Sequence, residues 1–96
     1  MDKIAVGAKG SYRVGSDTYP VTCVEVLRGG RQLVIRFEEF VADVGHDYFG
    51  SQKWKIFENP HGRMCRVNWA PKRNVFQDSS AYVTFNGWKA YQDPSF

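Results

Sequence analysis

Apolar positions in this chain recur with period two, in short runs broken by Gly, Pro, Asn and Asp. Such alternation marks half-buried β-strands, because successive side chains on a strand point to opposite faces. The strongest stretch runs from Tyr19 to Phe37. It holds two arms, 19–28 and 32–40, rich in β-branched residues and flanking Gly29-Gly30. Adjacent glycines can both take the positive φ of a two-residue turn, so the pattern predicts a tight hairpin there. In the second arm Leu33, Ile35 and Phe37 share one face, and Val34, Arg36 and Glu38 the other. In the first arm Thr22, Val24 and Val26 oppose Cys23, Glu25 and Leu27. Neither of its faces is purely polar, as expected of a central strand.

The other segments read more briefly. Ile4 and Val6 suit an edge strand or a tucked arm, and Ser11–Val14 a first short strand before the turn cluster Gly15-Ser16-Asp17. Phe40 to Gln52 keeps no period and carries two glycines, so it reads as a long loop with a single helical turn at Phe40–Val44. Lys53–Glu58 alternates, Asn59-Pro60-His61-Gly62 has turn chemistry, and Arg63–Trp69 alternates again. These two runs are predicted to pair as a second hairpin, with Lys55 and Arg66 together on its polar side. Ala70–Asn74 breaks the strand, and Val75–Ser80 is ambiguous. Ala81, Val83 and Phe85 share one face of a last strand, and Asn86-Gly87 turns the chain into an aromatic tail, 88–96. No helical stripe, repeat or low-complexity segment appears. The expected fold is mainly β and one domain over 1–96: a small antiparallel sheet or partly closed, SH3- or OB-like barrel of about 5–6 strands.

Charge adds a partner class. Thirteen Lys and Arg face ten Asp and Glu, a net charge of +3. Six of those bases lie between Gln52 and Arg73 against the single acid Glu58, whereas 38–47 holds four acids and no base. Such segregation suggests an anionic partner for one face. No apolar run reaches a membrane span or a signal-peptide core, which predicts a soluble protein of a reducing cytoplasm. Cys23 and Cys65 then read as packed thiols, with one disulfide the alternative in an oxidising compartment.

Catalysis finds no footing in these residues. There is no phosphate-cradling Gly-rich loop and no nucleophile elbow. Asp43, His46 and Asp47 read as solvated loop groups, and the Cys and His spacing matches no zinc pattern. The expectation is therefore no enzyme, no cofactor and no metal. Binding is better supplied. Lys55, Arg66, Lys72 and Arg73 can meet phosphate, while Trp54 or Trp69 can stack on a base. Arg36 and Arg13 join that face if the sheet curls; a cross-strand pair of Arg36 with Glu25 is the alternative. The competing reading, and the commoner outcome in small domains, is that both indoles are core and the bases a solvated face. Trp88, Tyr91 and Phe96 read either as anchors docking the tail in cis or as packing on a neighbouring subunit or over a ligand.

Three stretches carry a resemblance: Gly15-Ser-Asp-Thr-Tyr-Pro-Val-Thr-Cys-Val-Glu-Val, Asn59-Pro60-His61-Gly62, and Tyr91-Gln92-Asp93-Pro94-Ser95-Phe96. Their order and spacing resemble a family of small accessory proteins of tailed bacteriophages, with 72–80 departing from the pattern. The resemblance implies a protein of the infected bacterial cytoplasm that counters host defence. It further implies a non-catalytic sponge that sequesters a cyclic-nucleotide immune signal without cleaving it. Homo-oligomers with ligand sites at subunit contacts are expected, since one small sheet has little room for a deep cavity. The alternatives are a nucleic-acid-binding barrel, for which +3 is a low charge, and a protein–protein module.

Overall fold

The computed structural model describes residues 3–94. They form eight strands: β1 (Lys9–Val14), β2 (Asp17–Leu27), β3 (Gln32–Phe37), β4 (Glu39–Ala42), β5 (Trp54–Phe57), β6 (Met64–Ala70), β7 (Val75–Gln77) and β8 (Tyr82–Thr84). Six of them close an antiparallel barrel in the order β1-β2-β3-β6-β7-β8, with β8 returning to β1. The remaining pair, β4 and β5, forms a separate two-stranded arm. The fold is thus the mainly β barrel expected, and its closure removes the sheet edges that invite aggregation. No helix among the described residues is long and apolar enough to cross a membrane.

The period-two pattern fills the barrel. Tyr12, Val21, Cys23, Leu33, Ile35, Val67, Phe76, Ala81 and Val83 make its buried core. On β3 the inward residues are those the alternation gives, Leu33 and Ile35. On β2 the alternation breaks. The register steps from Cys23↔Ile35 to Glu25↔Val34, so two residues of β2 face one of β3. This bulge turns Val26 inward after Cys23 and leaves Glu25 exposed. The expected grouping of Thr22, Val24 and Val26 therefore fails at the bulge. The expected two-residue turn also fails. Arg28, Gly29 and Gly30 take φ of 53°, 66° and 96° in succession, and the last strand pair is Leu27↔Gln32. The loop is longer because Arg28 joins both glycines in the left-handed region.

The second hairpin is the larger correction. Trp54–Phe57 pairs with Glu39–Ala42, not with the strand that follows the Asn59–Gly62 turn. Met64–Ala70 pairs instead with β3 on one side and β7 on the other. The physical reason is burial. Pairing β6 to β3 sets Val67 beside Leu33 and Cys65 beside Ile35, inside the barrel. The stretch expected as a loop with a helical turn at Phe40–Val44 supplies β4, and the arm is an excursion between β3 and β6.

The base of this excursion is pinned. Glu38, where the chain leaves the barrel, has a side chain with 0% exposure. It accepts hydrogen bonds from Arg36 Nε (3.2 Å), Arg36 Nη2 (2.9 Å), the Asn59 N–H (2.8 Å) and Thr22 Oγ1. Burial alone would raise its pKa; the hydrogen bonds from Arg36, Thr22 and Asn59 outweigh it and hold the carboxyl below its ordinary value. The returning chain crosses Phe37 so closely that a Cβ on Gly62 would lie 2.0 Å from the Phe37 carbonyl oxygen.

Candidate functional site

The residues expected to form one basic–aromatic face are dispersed by this topology. Lys55 lies exposed on the arm, opposite Val41. Arg66 lies exposed on β6, opposite Val34, beside a shallow cleft lined by Val24, Glu25 and Met64. Because their strands belong to different sheets, they do not form the expected cross-strand pair. Arg36 is committed to Glu38 and, at 3.5 Å, to Glu58, not to Glu25. Trp69 packs against the core at one barrel end, 5.1 Å from Phe76. Lys72 and Arg73 are exposed in the β6–β7 turn, where Arg73 donates to Gln77 Oε1 (2.8 Å) and lies over Tyr82. Of the expected Lys55, Arg66, Trp54, Trp69, Arg36, Lys72 and Arg73, Trp54 alone lines the groove that holds both Arg13 and Lys89.

That groove has a volume of about 570 Å³ and lies between the arm, the tail and β1. Its working residues are Arg13, Thr18, Trp54, Trp88, Lys89 and Tyr91. Arg13 points outward from β1 because its neighbour Tyr12 points into the core. It sits between Thr18 of β2 and Tyr82 of β8 in the strand register.

The tail forms the opposite wall, and backbone pairing fixes it. Beyond Phe37, β3 no longer covers the edge of β2, and Tyr91 takes its place. The Thr18 N–H donates to Tyr91 O (2.8 Å) and the Tyr91 N–H donates to Thr18 O (3.0 Å). Trp88 Nε1 donates to the Val21 carbonyl (3.0 Å) and Thr22 Oγ1 (3.1 Å), while Lys9 Nζ lies 4.2 Å from its ring centre. Trp88 and Tyr91 therefore dock in cis. Phe96, the third expected anchor, lies outside the described residues.

The arm brings Trp54. Its ring meets Phe40 at 5.0 Å and His46 at 4.4 Å between centres. Its Nε1 donates to Gln52 Oε1 (3.0 Å), which also accepts the Gln92 N–H (2.9 Å). Gln52 Nε2 in turn donates to the Gln92 carbonyl (2.6 Å), so one amide joins arm to tail. The Glu38 cluster stands behind the same wall: Thr22 donates to Glu38 and accepts from Trp88.

The electrostatics of the groove are one-sided. Both ion pairs among the described residues belong to Arg36, so Arg13 and Lys89 have no carboxylate partner there. Two positive groups beside three aromatic side chains can hold phosphate and stack an aromatic base. The groove was hidden in the sequence because its parts come from β1, β5 and the tail. The local signal was Trp88-Lys89-Ala90-Tyr91, a base between aromatics, which packing alone also explains. Comparison with protein-family models, curated proteins and solved structures finds no match.

Proposed function

We propose that this chain is a non-catalytic binding protein whose arm–tail groove takes a small phosphorylated ligand bearing an aromatic base. The observation that carries this reading is the placement of Arg13 and Lys89, unpaired with any acid among the described residues, in a groove with Trp54, Trp88 and Tyr91. The guanidinium and ammonium groups meet the phosphate; an indole or phenol face takes the base. The groove replaces the expected Lys55–Arg66 seat and leaves the ligand class unchanged.

The phage resemblance supports a specific form: sequestration of a cyclic-nucleotide immune signal in the host bacterial cytoplasm, to counter anti-phage defence. Homo-oligomerisation belongs to the same proposal. Val44 and Phe49 on the arm's loop are 90% and 80% exposed, apolar surface that a second copy would cover. Native mass spectrometry reads that stoichiometry.

The test is thermal stabilisation by AMP, cyclic mononucleotides, cyclic dinucleotides and cyclic ADP-ribose isomers. Ligand at a hundredfold excess over Kd stabilises by about 2.7 kcal/mol, equivalent to about 10–20 °C for a domain this small. Arg13→Ala is expected to abolish most of the shift. A chain stabilised by none of these nucleotides refutes the reading.

A further inference from the structure

Arg13 lines a second cleft, of about 420 Å³, on its other side. We infer that the two clefts act together on a ligand carrying two phosphates and two bases, a dinucleotide, with Arg13 between the two units. This rests on the reading of the first groove given above.

The strand register sets the geometry. Thr18, Arg13, Tyr82 and Gln77 are successive cross-strand partners on β2, β1, β8 and β7, and so share the barrel's outer face. Neighbouring strands lie about 4.8 Å apart. Arg13 is thus one strand spacing from the floor of each cleft. The first cleft contributes Lys89 and its aromatic walls. The second contributes Arg73, whose guanidinium lies 5.5 Å from the Tyr82 ring centre and donates to Gln77. A guanidinium placed there offers a stacking plane for a base and N–H groups for phosphate.

One acid lines the second cleft, Asp78, and its charge is already engaged. One oxygen accepts the Tyr12 hydroxyl at 2.6 Å; the other accepts the Ser80 and Ala81 N–H groups at 3.0 and 2.9 Å. Neither Arg13 nor Arg73 is paired with it. The outer face therefore presents Lys89, Arg13 and Arg73 in sequence, each beside an aromatic or polar wall, with Arg13 common to both clefts.

Isothermal titration with AMP and with linear 5′-phosphorylated diadenylate tests this. Wild type is expected to bind the diadenylate at least about tenfold more tightly than AMP, the gain of one charge-assisted phosphate contact. Arg73→Ala should remove that preference and leave AMP affinity unchanged; Tyr82→Ala, whose ring lies outside the core, should do the same. Arg13→Ala should weaken both ligands. Equal affinity for the two ligands, or an Arg73→Ala protein that keeps the preference, overturns the two-cleft inference while the first groove stands. Failure of wild type to bind either ligand overturns the groove reading itself, and this inference with it.

Discussion

Replacing Glu38 by Ala tests how the barrel, arm and tail are held together. The side chain is wholly buried and accepts four hydrogen bonds from three separate parts of the chain. Its removal leaves Arg36 with Glu58 at 3.5 Å, a carboxylate that is 72% exposed. Thr22 and the Asn59 N–H lose their acceptor. Breaking a buried pair by deleting one partner costs about 3–5 kcal/mol. A domain of this length has a total stability of about 5–14 kcal/mol, and each kcal/mol moves Tm by about 4–8 °C. The variant is therefore expected to melt at least about 12 °C below wild type. Glu38→Gln keeps the shape but loses the charge, and should fall between the two. The pH dependence has a definite sign. The folded carboxyl titrates below its unfolded value, so its contribution is present above about pH 4.3 and is lost as pH falls through the folded pKa. Wild type should thus lose stability in acid more steeply than Glu38→Gln. Urea melts followed by circular dichroism at pH 7 and pH 3 measure both effects. A Glu38→Ala protein within 1 kcal/mol of wild type, or equal acid slopes, refutes the reasoning.

Other predictions follow from the same contacts. Gly62→Ala sets a methyl group against the Phe37 carbonyl at 2.0 Å; it should cost about 3 kcal/mol or more and show as a lowered urea midpoint. Tyr12, pushed up to about 12 by burial and by Asp78, holds its proton more tightly when folded. Its stabilisation is complete below the unfolded value near 10 and declines as pH rises toward 12, so Tyr12→Phe should flatten the alkaline limb of a stability–pH curve. Trp88→Phe removes the indole bonds to Val21 and Thr22; a loss of about 1–2 kcal/mol should accompany faster amide exchange at Tyr91.

Much of the barrel was legible because burial dictates period two. Leu33, Ile35, Val67 and Val83 each stand in an alternating run, and all are core. What alternation cannot fix is partner choice. Residues 53–58 and 63–69 are close in sequence and joined by a good turn, yet β6 has two apolar-faced neighbours available and β5 pairs back to Phe40 and Ala42. The bulge between Cys23 and Glu25 was equally hidden, since an extra residue leaves composition untouched. The groove inherits both effects. Trp54 was legible as a stacking residue, but its cationic neighbours Arg13 and Lys89 are distant in sequence and meet it once the tail pairs with Thr18.

The most direct test of the groove uses the three indoles as reporters in a nitrogen–proton correlation spectrum during titration with AMP. Trp54 and Trp88 line the arm–tail groove, whereas Trp69 sits at a barrel end in a different cleft. The expected result is movement of the Trp54 and Trp88 Nε1–H signals with one shared saturation curve, and a stationary Trp69. Movement of Trp69 alone, or of no indole at saturating nucleotide, contradicts the account.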